Sequence, residues 1–252
     1  MMINLKSIKT QLILYLLSFA LFLAIKNKDF IFLFTALVAV ISALATEAIF
    51  LYFKTGSLQI TESAIITGLI VSFVISSDEA LWKLICACAA AIISKHLVCF
   101  RKKHIFNPAA FGIFLTFILF GVSLQWRGTY AWHILLPFGI YFAYKIKKIE
   151  VVIGYAVISL ILFAAQAFLH KYSLLNIFGY FSYFYIFVMI IEPKTTPTGL
   201  MGKLIFGTGI AILIFILTEA GAKFDVELFS LLVMNAAVPL LNRTLPRKGA
   251  QI

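Results

Sequence analysis

Charge is scarce in this chain. Only 12% of its residues are Asp, Glu, Lys or Arg, and just ten are acidic, whereas charged residues make up about a quarter of a typical soluble domain. With 63% apolar residues and a mean hydropathy of +1.05, a soluble domain is excluded. Long polar stretches are missing as well. The breaks between apolar runs are too short to hold a soluble domain, and no obvious linker or low-complexity tail is present. Cysteine is nearly absent, and the three present (Cys86, Cys88 and Cys99) fall in one apolar run. Their odd number and intramembrane position argue against a disulfide framework. Cys86 and Cys99 stand about 20 Å apart along a helix, too far for one metal centre, so no metal site is expected. Small packing residues are the better reading. The first apolar run also lacks a small-residue cleavage site and is followed at once by the next, so it reads as a span rather than a signal peptide.

What is there is a series of apolar runs: Thr10–Ile25, Phe30–Phe53, Ser63–Ser76, Ala80–Phe100, Pro108–Leu124, Ala131–Lys145, Val151–His170, Leu175–Ile191, Lys203–Glu219 and Val226–Leu241. A helix of about 20 residues crosses the hydrocarbon core. The expectation is an all-α integral membrane protein of about ten transmembrane helices. Ser63–Ser76 is short for a span, which predicts a tilted, thinned or broken segment there.

Basic residues give the orientation. With the N-terminus inside, cytoplasmic segments hold Lys6, Lys9, Lys54, Arg101, Lys102, Lys103, Lys145, Lys147, Lys148, Lys194, Lys203, Arg243, Arg247 and Lys248, fourteen of the 21 Lys and Arg. Outer loops and span ends hold six: Lys26, Lys28, Lys83, Arg127, Lys171 and Lys223. This bias predicts a multi-pass protein of the cell membrane with both termini cytoplasmic. It also accounts for the net charge of +11 as topology in a lipid bilayer, with no nucleic-acid partner expected.

The two halves, about 1–126 and 127–252, resemble each other weakly. Trp82-Lys83-Leu84-Ile85 opens the fourth run as Gly202-Lys203-Leu204-Ile205 opens the ninth, and Asn107-Pro108-Ala109-Ala110 has a counterpart in Asn235-Ala236-Ala237. Because five is odd, two five-span repeats must be inverted, and such folds place their site near the midplane. Within the spans, Glu47 lies about seven residues before the boundary marked by Lys54, and Lys95 about six before Arg101. Both therefore sit at similar depth, where an ionisable side chain needs a partner or water. An ion pair between them is the expectation, with snorkelling of Lys95 as the alternative. Asn107 before Pro108 suits the start of a helix, which can face an anion or a flavin oxygen.

Several segments resemble the RnfD/NqrB family in order and spacing. In the first half they are Glu62-Ser-Ala-Ile-Ile-Thr67-Gly68, Ile93-Ser94-Lys95-His96 and Phe106-Asn107-Pro108-Ala109. In the second they are Glu192-Pro193-Lys-Thr-Thr-Pro-Thr198, Leu204-Ile-Phe-Gly207, and Phe224-Asp225 leading to Asn235 and Val238-Pro239-Leu240. The resemblance implies a ten-span inverted repeat in an electron-transport complex that couples flavin-based redox to sodium or proton translocation. It also implies other Rnf/Nqr-type membrane subunits as partners, fed from ferredoxin or NADH. Glu47, Glu62, Lys95, Glu192 and Asp225 are then candidates for the ion pathway. Thr67, Gly68, Asn107 and Pro108 are candidates for contact with a non-covalent flavin, riboflavin or FMN.

The chain also departs from the family. Its members usually carry a long insert between the fifth and sixth spans, with a threonine motif that takes FMN covalently. Here that connection is only about Gln125–Tyr130, and Thr129 lies in Arg-Gly-Thr-Tyr. Covalent FMN is therefore expected to be absent. The aromatic stretch Phe178–Phe187 reads as lipid-facing or helix-packing mass rather than a cofactor wall. A non-redox solute or ion channel or transporter on the same scaffold is the rival reading.

Overall fold

The computed structural model describes residues 7–101, 103–129, 131–171, 173, 179 and 181–245. The helices are α1 (Ile8–Asn27), α2 (Phe30–Thr55), α3 (Glu62–Val74), α4 (Leu81–Leu97), α5 (Pro108–Phe120), α6 (Trp132–Lys145) and α7 (Ile149–His170). A π-helical segment, α8 (Tyr185–Met189), precedes α9 (Leu200–Glu219) and α10 (Val226–Thr244). Between α4 and α5 lies a hairpin of two short strands, β1 (Cys99–Phe100) and β2 (Lys103–His104). Among the described residues five helices, α1, α2, α7, α9 and α10, are long and apolar enough to cross a bilayer. With the shorter apolar helices beside them, this is a multi-pass membrane protein.

Several expected spans are shorter than the hydropathy runs that contain them. α3 and α5 have 13 residues each, about 20 Å of helix against a core of about 30 Å. The fourth run stops as helix at Leu97, because Cys99 and Phe100 are in β1. Cys99 is therefore exposed, while Cys88 is buried and Cys86 half-buried, so the packing reading holds only for the cysteines within the helix. The eighth expected span, Leu175–Ile191, lies partly outside the described residues, as do Lys6, Lys102, Arg247 and Lys248.

The chain divides into two compact units: residues 1–99 with 108–127, and residues 100–107 with 128–252. In the first unit, small residues set the helix spacing. Ala39, Ala43, Ala87 and Ala91 are fully buried. A Cβ added at Gly112 of α5 would lie 2.2 Å from the Ala87 carbonyl oxygen on α4. Lipid tails are as apolar as the helix surfaces, so helices in a bilayer associate through such close van der Waals contact. Phe73 packs between Phe19 and Phe32, with ring centroids 5.6 and 5.2 Å away.

α3 and α5 end early because the chain turns to make a different set of hydrogen bonds. α3 gives way to extended Ile75, and α5 to Gly121 at φ 60°, and Ile75 then bridges Leu124. The amides of Gln125 and Arg127 bond the carbonyls of Val74 and Phe73 at 2.8 and 2.7 Å. Arg127 closes this junction. Its guanidinium donates to the carbonyls of Ser72 and Ile75, to Ser77 Oγ and to Asp29, and lies 4.5 Å over the Phe32 ring. Burial pulls the Arg127 pKa below its usual value, and Asp29 opposes that shift. Buried irregular backbone survives only where protein groups satisfy it.

In the second unit α7 and α9 pack closely: a Cβ on Gly207 would meet the Val151 carbonyl oxygen at 2.2 Å. Tyr185, Phe184, Met189, Phe206 and Leu135 fill the interior. The described part of the aromatic stretch is thus helix-packing mass. Phe181, Tyr183, Phe184, Tyr185 and Phe187 are all buried, which rules out the lipid-facing alternative for them. Phe178 and Tyr180 lie outside the described residues.

Candidate functional site

Within the first unit, α2 supplies Glu47 and α4 supplies Lys95. Lys95 Nζ meets Glu47 Oε1 at 2.6 Å, with side-chain exposures of 9% and 3%. The other carboxylate oxygen accepts from Thr61 Oγ1 at 2.8 Å, and His96 Nε2 approaches Oε1 at 3.5 Å. Thr61 also caps α3, accepting from the Ala64 amide. One carboxylate thus joins α2, α4 and the start of α3. The carboxylate is bonded by an ammonium and a hydroxyl, and a buried ionisable group inside a membrane span is a candidate for an ion or proton path. Next to it, Glu62 at the start of α3 accepts from Thr10 Oγ1 of α1 at 2.6 Å.

Within the second unit, the irregular segment from Glu192 to Thr198 is fastened by side chains on four sides. His104 Nε2 lies 3.1 Å from Glu192 Oε1. Asn235 of α10 donates from Nδ2 to the Thr195 carbonyl at 3.0 Å, and its Oδ1 accepts from the Asn107 amide at 2.8 Å. Asn107 Nδ2 in turn donates to the Met189 carbonyl at 3.0 Å, at the end of the π-helical α8. The two asparagines, Asn107 and Asn235, are 2% and 0% exposed. π-Helical widening of a helix recurs at functional sites, and this one has its last carbonyl captured by a buried amide.

Two further carbonyls of the segment are met by Lys148, whose Nζ donates to Pro197 at 2.8 Å and to Thr196 at 3.3 Å. Burial, reinforced by the neighbouring charge of Lys203, pushes the Lys148 pKa down to about 8. Lys203 Nζ contacts Glu150 at 3.0 Å and the Lys147 carbonyl at 2.6 Å. Thr198 closes the segment by donating from its amide and hydroxyl to Asn242 Oδ1.

The sequence candidates therefore separate into groups. Glu47 and Lys95 meet, with Glu62 one residue past their partner Thr61. Glu192 and Asn107 both belong to the fastened segment of the second unit. Thr67 is buried and bonds its hydroxyl to the Ser63 carbonyl at 2.9 Å. A Cβ on Gly68 would lie 2.7 Å from Val40 Cα, so Gly68 serves close contact between α2 and α3. Pro108 is buried as the first residue of α5. Asp225 caps α10, accepting from the Leu228 amide at 2.7 Å. Arg127, Lys148 and His104 were not singled out by sequence reasoning. The two cations read as solvated loop charges, and only their burial reveals otherwise.

Comparison with known proteins places these features in context. The family described as NQR2, RnfD, RnfE matches residues 2–136 and 129–250. A protein of Pseudomonas aeruginosa, named as a subunit of the ion-translocating oxidoreductase complex, is 26% identical over 140 residues, 55% of this chain and 37% of that protein. One of the same name from Marinobacter nauticus is 37% identical over 60 residues, 24% of this chain and 17% of that protein. A third, from Pseudomonas paraeruginosa, is 26% identical over 129 residues, 51% of this chain and 34% of its own. The chain spans about a third of the length of the Pseudomonas relatives it matches, and less of the Marinobacter one.

Proposed function

The chain belongs to the NQR2, RnfD, RnfE family, and on that premise we propose that it is a membrane subunit of an ion-translocating electron-transport complex. Its work there is to couple flavin-based redox to movement of sodium ions or protons. Other Rnf/Nqr-type membrane subunits are its partners. The observation that carries this reading is the buried Glu47–Lys95 pair with Thr61 on the second carboxylate oxygen, on a chain whose relatives are named as subunits of such a complex. Glu47, Glu62 and Lys95 in the first unit, and separately Glu192 and Asp225 in the second, are the proposed ion-pathway residues. The architecture proposed is two inverted five-helix repeats. Affinity purification of the tagged protein from its native membrane tests the assignment. Co-purification of redox subunits bearing flavin or iron–sulfur chromophores is expected, and a colourless homogeneous chain would count against it.

The protein lies in the cell membrane with both termini cytoplasmic in this reading, because the basic residues concentrate on that side. In a cysteine-free background, a membrane-impermeant thiol reagent applied to intact cells should label a cysteine at Thr129 and leave one at Lys103 unlabelled. Labelling at Lys103 from outside would invert the topology.

Flavin, where bound, is held without a covalent bond, and Thr67, Gly68 and Pro108 in the first unit, and separately Asn107 in the second, are the proposed contacts. The connection after α5 supports this. Gln125 and Arg127 are tied by their amides to the end of α3, leaving little chain to present a hydroxyl to a flavin transferase. Flavin fluorescence is expected to leave the protein on denaturation, and a fluorescent band surviving in a denaturing gel would overturn the prediction. The same short connection favours the second reading, a channel or transporter on this scaffold with no redox role. A purified protein without flavin absorbance, yet conducting ions or solutes in vesicles, would select it.

A further inference from the structure

In the second unit a cavity of about 480 Å³ opens beside the fastened segment, and its charge is of one sign. Arg101, Lys103, Lys194 and Arg243 line it, together with His104, and no acidic side chain does. Among the described residues none of these four cations lies within 4 Å of a carboxylate. All four are exposed, which places their charge at the mouth. Asn242 also lines the cavity. Its Oδ1 is taken up by Thr198, which leaves the Nδ2 amide as a donor. The Asn235 side chain, by contrast, is satisfied on both ends and serves as structure. Phe100, Ile105, Val238 and Pro239 complete the wall with apolar surface.

Four cations sharing one hollow repel one another, an arrangement that favours a bound anion with several acceptor oxygens. A phosphate group fits, since its oxygens accept from Arg and Lys together. The apolar wall suits a phosphate joined to a hydrocarbon or ring-bearing body, and basic pockets between membrane helices capture anionic headgroups in this way. We propose that this cavity is a binding site for a phosphate-bearing anion, supplied either as an anionic phospholipid headgroup or as a soluble phosphate. The inference stands independently of the redox reading, because it needs only the cavity and its cations.

The test uses the full chain purified in detergent, with thermal unfolding and native mass spectrometry as readouts. Phosphatidylglycerol, phosphatidylcholine and inorganic phosphate are added separately. The variants are Lys194→Gln with Arg243→Gln, and as an independent pair Arg101→Gln with Lys103→Gln. Lys26→Gln with Lys83→Gln is the control, since both lysines lie outside the cavity. Each basic residue near an anionic group contributes about fivefold, so either cavity pair should weaken anion binding roughly thirtyfold. The control pair should leave it unchanged, and added salt should weaken it. Preference for phosphatidylglycerol over phosphatidylcholine, lost in the cavity variants, supports the site with a lipid as its source. Stabilisation by inorganic phosphate alone, with the same losses, supports the site with a soluble source. Equal binding of both lipids without any effect of inorganic phosphate, or anion binding unaffected in both cavity pairs, would overturn the proposal.

Discussion

Replacing Glu47 by Gln is expected to cost the protein far more than replacing Glu47 and Lys95 together. The pair is nearly excluded from solvent and meets at 2.6 Å, so the single change leaves an ammonium at membrane depth without its counter-charge. Breaking one side of a buried pair costs on the order of 3–5 kcal/mol, whereas two apolar replacements of similar volume can be close to neutral. Water entering the membrane, or loss of the surviving proton, reduces the penalty without abolishing it. Lys95→Met should also destabilise, because it leaves Glu47 with only Thr61 and the more distant His96. The measurement is a double-mutant cycle on thermal unfolding in detergent, with the coupling read from the departure from additivity. Strictly additive losses would mean that the two residues act independently. Glu47 would then be better regarded as a lone proton or cation site held by Thr61.

The second large effect is expected at Asn235. Alanine there removes the acceptor of the Asn107 amide and the donor to the Thr195 carbonyl in one step, at a fully buried position. Each orphaned backbone group costs about 1–3 kcal/mol, so a loss of roughly 2–6 kcal/mol follows unless water fills the hole. Asn235→Asp separates the two bonds. A neutral carboxyl can accept from the Asn107 amide and donate to the Thr195 carbonyl, while a carboxylate would face that carbonyl without a proton. The aspartate variant should therefore melt closest to the parent protein where its carboxyl carries the proton that the Thr195 carbonyl accepts, at acid pH, and fall away from it at alkaline pH. An Asn235→Ala protein melting within a degree or two of the parent would remove Asn235 from the anchoring scheme.

Two kinds of information were separable in this protein. Membrane class, helical content and most helix positions were legible in the sequence, because hydropathy and helical rise are local properties. The Glu47–Lys95 contact was legible for the same reason. Counting residues back from Lys54 and from Arg101 put both side chains at one depth, and opposite charges at one depth in a low-dielectric medium attract. Asp225 at the start of α10 carries an equally local signal, an acidic residue before an apolar run, and the structure uses it as a cap.

What only the tertiary structure decided involves groups far apart in the chain. Hydropathy carried the fifth run to Leu124, but α5 stops at Phe120 because Leu124 is needed to bridge Ile75. The Lys145–Lys148 run resembles a solvated loop, yet Lys148 is buried against the carbonyls of Thr196 and Pro197. Arg127 looked like an outer-loop charge and instead closes the ends of two short helices. Asn235 and Asn107 are 128 positions apart, and their bond exists because folding brings α10 against the residue that precedes α5. A one-dimensional pattern records how deep and how apolar each residue is. It carries no term for which distant carbonyl or amide will be left unpaired, and in a membrane those unpaired backbone groups dictate where buried Lys, Arg and Asn must reach.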